Sequence, residues 1–106
     1  MCPYARSVLS VDLAIYADAL AGESAALTAR AERLRARLRE AGIERAARRA
    51  LPRPAVEQLQ RIGLLRTVDE RSVRAELSQL EDALEAVAEL QSWVEAKLEA
   101  ASALSG

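Results

Sequence analysis

The side chains with the most distinctive chemistry are arginines in the middle of the chain. Residues 30–53 carry nine Arg against three Glu, and fourteen of the fifteen basic residues of the protein are Arg. A guanidinium group presents a planar fork of donors that binds a phosphate or a carboxylate through two parallel hydrogen bonds. The pattern therefore predicts a surface that binds an anion or a partner protein. Its candidate residues are Arg45, Arg48, Arg49 and Arg53.

Two interpretations of this arginine group follow from the sequence. One is a nucleic-acid partner, because arginine binds phosphate and such binding is largely electrostatic. The other is a solvent-facing surface whose arginines pair with Glu40, Glu44 and the acidic last helix. The sequence pI of about 5.5 and the absence of Phe favour the second, since base stacking needs aromatic side chains. Nucleic-acid binding is kept as the alternative function.

Catalytic and metal chemistry find little support in the composition. The chain has no His and a single Cys, Cys2, which excludes His-based catalytic triads, zinc sites and an internal disulfide within one chain. An acidic group near the C-terminus has no second ligand set for Mg²⁺, so we interpret it as a charged solvent face. That group is Glu81, Asp82, Glu85 and Glu89. We predict a non-enzymatic protein without a cofactor or a metal.

The location of the protein is inferred from two features. A free thiol suits a reducing compartment. No apolar run approaches the roughly 20 residues that a membrane-spanning helix needs. We therefore expect a cytoplasmic protein with no membrane partner.

The element that carries most of the arginines is a long helix predicted over residues 5–41. Leucines recur in it every seven residues, and the alternate positions are mostly small, as in the seam of a coiled coil. Gly42 follows the last periodic residue, where a glycine in left-handed conformation commonly ends a helix. The seam consists of Leu13, Ala17, Leu20, Ser24, Leu27, Ala31, Leu34 and Leu38.

A second long helix is predicted over residues 68–104. Thr67 and Glu70 have the spacing of a capping box, in which each side chain binds a free backbone N–H of the first turn. The apolar spacing then alternates between four and three residues without a slip. This seam consists of Val73, Leu77, Leu80, Leu84, Val87, Gln91, Val94, Leu98 and Ala101.

The connector between the long helices has helical spacing of its own. It predicts two short helices, over residues 43–51 and 54–62, separated by Pro52 and Pro54 and ended by Gly63. The long helices have equal predicted lengths. Residues 30–53 have a net charge of +6 and residues 76–106 a net charge of −6. These features predict an all-α fold, an antiparallel hairpin of two long helices joined by two short ones, in a single domain over residues 1–106.

One end of this hairpin has more apolar surface than a monomer can bury. Exposed apolar patches usually mark an interface, so we expect a homodimer in which two hairpins form a four-helix bundle. The function that fits is a regulator, adaptor or small chaperone that acts as a dimer on an unidentified partner protein. The candidate dimer interface is Val8, Val11, Ile15, Leu90, Trp93 and Leu104.

Overall fold

A computed structural model describes residues 3–105 of the chain and the side chains of residues 11–103. It contains three helices: α1 (Pro3–Ala50), α2 (Arg53–Arg61) and α3 (Glu70–Ser105). The described residues include no strand. The two long helices, α1 and α3, pack together. The predicted all-α class and the pairing of two long helices are therefore confirmed.

The first helix is longer than the sequence predicts. The expected end at residue 41 and the separate short helix over residues 43–51 are both wrong, because α1 continues without a break to Ala50. Gly42 does not take the left-handed conformation of a helix cap; among the described glycines only Gly63 has a positive φ. The residues after Gly42 are mostly Ala, Arg and Glu. These strong helix formers outweigh the cost of one helical glycine, about 1 kcal/mol.

An ion-pair network also spans the glycine. Arg37 Nη1 lies 2.9 Å from Glu40 Oε2 and 3.5 Å from Glu44 Oε1, so one guanidinium joins the turns on both sides of Gly42. Each such pair contributes only a few tenths of a kcal/mol on an exposed helix. Together with helix propensity they favour continuation over a cap.

Proline sets the end of α1 and the start of α2. The N–H of Leu51 still donates to the carbonyl of Ala47 (2.9 Å), but Leu51 is no longer helical. A residue before proline is pushed out of the α region, which stops the helix there. Pro52, with extended backbone (φ −60°, ψ 147°), is the N-cap of α2. The second predicted short helix, over residues 54–62, is thus confirmed to within one residue.

Gly63 ends α2 through a Schellman motif. Its φ is +78°, and its N–H donates to the carbonyl of Gln60 (3.2 Å). The next N–H, that of Leu64, donates to the carbonyl of Leu59 (2.9 Å). This pair of reversed bonds satisfies the last carbonyls of the helix and requires a left-handed residue at Gly63. The predicted end of the helix at Gly63 is confirmed.

The cap of α3 differs from the predicted one. Asp69 Oδ1 accepts a hydrogen bond from the Ser72 N–H (3.2 Å), and the Asp69 carbonyl accepts the first helical bond, from the Val73 N–H (3.1 Å). Asp69 is therefore the N-cap, and the predicted capping box of Thr67 and Glu70 is wrong. Asp is as good a cap as Thr, and it lies one residue before the helix, whereas Thr67 lies three before it.

Both predicted seams are found in the burial pattern. Every predicted seam residue from Leu13 to Leu38 in α1 and from Val73 to Ala101 in α3 is buried or half-buried. Most of the residues between them are exposed. The apolar stripe on each helix is therefore narrow, as in a coiled coil rather than in a broad globular core.

The chain divides into two compact units. Unit 1 comprises the residues up to 29 and those from 80 onward, and unit 2 comprises residues 30–79. The fully buried side chains described in unit 1 are Leu20, Leu80 and Val94, and those described in unit 2 are Ala31, Ala41 and Leu65. Two ion pairs of unit 2, Arg30 with Glu76 and Arg45 with Glu70, run in opposite order along α1 and α3, so these helices are antiparallel there.

Candidate functional site

The predicted arginine group lies entirely in unit 2, and its members bind neighbouring protein atoms. Arg45 Nη1 lies 2.6 Å from Glu70 Oε2 at the start of α3. Arg48 Nη2 donates to the carbonyl of Arg66 (2.7 Å) in the segment before α3. These two arginines therefore hold the start of α3 and the preceding loop against α1. Their donors are partly used inside the unit.

The other two arginines of the group are more exposed. Arg53 Nε lies 3.5 Å from Glu57 Oε1 one turn along α2, and the Arg53 side chain is 91% exposed. Arg49 is exposed and has no hydrogen bond or ion pair to any residue that the structure describes. The four arginines thus differ in role, and two of them stabilise the fold. Their pairing with carboxylates agrees with the interpretation of a solvent-facing, ion-paired surface.

Two cavities flank these ion pairs. One, of about 190 Å³, lies between α1 and the segment that leads into α3, and its lining includes Arg45, Arg48 and Glu70. The other, of about 360 Å³, is lined by Arg37, Ile43, Leu64 and others. In this part of unit 2 the buried oxygens Glu44 Oε2 and Glu70 Oε1 have no protein hydrogen-bond partner. Buried carboxylate oxygens of this kind are usually satisfied by water.

The predicted interface residues lie in unit 1. Val11, Ile15 and Trp93 are 56%, 63% and 54% exposed, which is high for large apolar side chains, and Leu90 is half-buried. Val8 and Leu104 lie outside the described side chains. The ammonium group of Lys97 sits 5.7 Å from the centre of the Trp93 ring, within the range of a cation–π contact. Water therefore reaches an apolar surface on both helices of this unit.

Helix geometry divides these residues between two surfaces. Ile15 follows the seam residue Leu13 by two positions, which is about 200° around the helix, so it lies on the side of α1 away from α3. Trp93 directly precedes the buried Val94 and lies about 100° from it, on a flank of α3. Unit 1 thus presents an outer surface on α1 and a flanking surface on α3, not the single patch that the sequence suggests.

A second set of exposed apolar side chains lies in unit 2 and was not predicted. The sequence assigns Ile43 and Ile62 to short amphipathic helices that cover one end of the hairpin. In the structure Ile43 is 70% exposed and Ile62 is 58% exposed. Leu64 and Leu51 are 66% and 40% exposed. Helical spacing does reveal that these residues share a stripe, but it does not tell which side of the stripe is covered.

Other kinds of site find no positive sign in the described part of the chain. It holds no group of three or more His, Cys, Asp or Glu residues placed to bind a metal ion. None of its helices has both the length and the apolar character needed to cross a membrane. No family model matches the chain, and no match was found among curated proteins or solved structures. The candidate sites are therefore the exposed apolar surfaces and the arginine group.

Proposed function

We propose that this chain is a non-enzymatic interaction protein whose exposed helix surfaces are covered by another protein chain. One observation carries the proposal: large apolar side chains in both units are 40–70% exposed. Contiguous exposed apolar surface on a monomer usually marks a binding surface, because water contact with it is unfavourable. Regulators, adaptors and small chaperones all work through such surfaces.

The total surface area supports the same proposal. The chain exposes 7897 Å², whereas a compact monomer of 11.5 kDa is expected to expose about 5800 Å². The excess is about 2100 Å² per chain. Obligate dimers bury roughly 1000–2500 Å² on each partner. One partner of ordinary size could therefore cover the excess.

The assembly that we propose is a homodimer in which two copies form a four-helix bundle and then act on a partner protein. Its candidate interface keeps the predicted residues of unit 1. The partial exposure of Ile15 and Trp93 supports their inclusion, since an interface anchor must be accessible in the single chain.

Light scattering after size exclusion tests this function at a protein concentration of about 50 µM. We expect the mass of two chains, twice 11.5 kDa. The variant Trp93→Glu should raise the dissociation constant at least about tenfold, because it places a charge in an apolar contact. Ala96→Glu is the matched control: it adds the same charge at an exposed position of α3, three residues away.

Two results would count against the proposal. Equal masses for the wild type and Trp93→Glu, with both dimeric, would remove Trp93 from the interface. A wild-type chain that stays monomeric and retains no other protein in stoichiometric amount from its native cells would refute the interaction function itself.

Nucleic-acid binding is the second candidate, favoured by one observation. Unit 2 holds thirteen Arg against seven Asp and Glu, a net charge of +6. Fluorescence anisotropy with duplex DNA and RNA at about 50 mM salt tests it. Steeply salt-dependent binding that is lost when the four arginines of the predicted group become Ala would support this candidate. Absence of binding at low salt would refute it.

A further inference from the structure

The two compact units carry opposite charge. Unit 2 has a net charge of +6, whereas unit 1 holds two basic residues against nine acidic ones, a net charge of −7. The net charge of the whole chain, −1, conceals this separation. Any protein that covers the apolar surface of one unit must also suit the charge around it.

Each unit also has its own exposed apolar side chains. Those of unit 1 are Val11, Ile15, Tyr16 and Trp93, and those of unit 2 are Ile43, Leu51, Ile62 and Leu64. Two copies of unit 1 in contact would bring −7 against −7, and two copies of unit 2 would bring +6 against +6. Unit 1 of one copy against unit 2 of another brings −7 against +6. Opposite potentials across an interface favour the right partner, and like charges disfavour the wrong one.

We propose that the chain that covers these surfaces is a second copy, with unit 1 of each copy packed against unit 2 of the other. A two-fold axis makes the two contacts equivalent, so assembly stops at two chains. The surface excess of about 2100 Å² per chain is the amount that a stable dimer of this kind buries on each partner. This inference rests on the proposed function and specifies its first partner and the orientation of that partner.

The sign of the salt dependence separates this dimer from one formed by unit 1 alone. Between about 50 mM and about 500 mM NaCl the screening length falls from roughly 14 Å to roughly 4 Å. Sedimentation equilibrium of the wild type should show a dissociation constant that rises at least about tenfold over this range, because attraction between opposite charges is screened. A dimer held by unit 1 against unit 1 would tighten with salt, and that result would overturn the proposal.

A charge-exchange experiment gives a second, independent test. The acidic-unit variant carries four changes at exposed positions, which take unit 1 from −7 to +1. These changes are Asp82→Arg, Glu85→Arg, Glu89→Arg and Glu99→Arg. The basic-unit variant carries four changes at exposed positions, which take unit 2 from +6 to −2. These changes are Arg33→Glu, Arg39→Glu, Arg49→Glu and Arg61→Glu.

Each variant alone should lose its homodimer, because both of its units then have the same sign. Mixed in equal amounts, the two variants should form a heterodimer in native mass spectrometry, since both cross-contacts join opposite charges again. A basic-unit control in which the same four arginines become Lys keeps the charge and should dimerise as the wild type does. Arg, Glu and Lys have similar helix propensity, so far-UV circular dichroism should report unchanged helix content.

The outcomes are separable. If the basic-unit variant dimerises as tightly as the wild type, unit 2 is not in the interface and the inference fails, while the proposed interaction function stands. If the wild type is monomeric at both salt concentrations, the inference also fails. If a charge variant loses its helix content, the salt series on the wild type decides alone. A mass that grows steadily with concentration would refute closure by a two-fold axis.

Discussion

Replacing Gly42 with alanine changes stability with a sign that depends on where α1 ends. In a continuous helix, alanine is favoured over glycine by about 1 kcal/mol, because glycine has more freedom to lose on folding. At a left-handed cap, alanine would instead cost about 1–2 kcal/mol. The structure places Gly42 within α1 (Pro3–Ala50) and without a positive φ. We therefore expect Gly42→Ala to stabilise the protein.

The space around Gly42 permits the full gain. An added Cβ would lie 3.7 Å from Arg45 Nη2, an ordinary contact with the far end of a flexible side chain. For a chain of this size, 1 kcal/mol corresponds to a rise in Tm of about 4–8 °C. Urea unfolding followed by circular dichroism at a fixed protein concentration gives the free energy directly.

Two other glycines calibrate this measurement. Gly22 is helical with no atom within 4 Å of an added Cβ, so Gly22→Ala should also stabilise by about 1 kcal/mol. Gly63 has a φ of +78°, so Gly63→Ala should destabilise by about 1–2 kcal/mol. If Gly42→Ala behaved like Gly63→Ala instead of Gly22→Ala, a break in α1 at residue 42 would be correct and the continuous helix would be refuted.

Two further changes test the seam and the cap of α3. Ala31 is fully buried (0% exposed), so Ala31→Leu should overpack the contact between α1 and α3 and lower the free energy of unfolding by about 1–3 kcal/mol. Ala29→Leu, at an exposed position two residues earlier, should change it by less than about 0.5 kcal/mol, and equal effects would contradict the buried position of Ala31. Asp69→Ala should cost about 1 kcal/mol through loss of the hydrogen bond to the Ser72 N–H. Thr67→Ala should cost less than half as much; the reverse order in urea unfolding would restore the capping box that the sequence suggests.

The seams were predictable because they depend on a local periodicity that no other part of the chain disturbs. Val94 is 1% exposed and Ala31 0% exposed, and both fall on positions that the seven-residue repeat assigns to the seam. The end of α2 was predictable for a similar reason. Only glycine adopts a left-handed φ without strain, and Gly63 is placed directly after the last periodic residue.

The end of α1 was not predictable by the same rule. Gly42 and Gly63 look alike in sequence, since each follows an apolar periodic stretch. What separates them is the continuation: Gly42 is followed by eight helix-forming residues and is spanned by the Arg37 ion pairs, whereas Gly63 is followed by two leucines and a cap. The competition between a glycine cap and further helix is decided by small terms of about 1 kcal/mol.

The interaction surfaces are the part that a sequence specifies least. Ile43 belongs to an apolar stripe and was expected to cover one end of the hairpin, yet it is 70% exposed. Periodicity gives the direction of a side chain around its own helix. It does not give the presence of a neighbour, which depends on loop length and on partners outside the chain.

The narrow seam also determines how the molecule opens. Where each buried layer touches only the layers next to it, stability accumulates layer by layer, as in repeat proteins. Amide protons should therefore exchange through partial openings of different size, and protection should fall with distance from the best-buried layers. Leu20 and Val94 mark such layers in unit 1, and Ala31 and Ala41 mark them in unit 2. The chain should unfasten like a zipper, with a graded series of opening free energies.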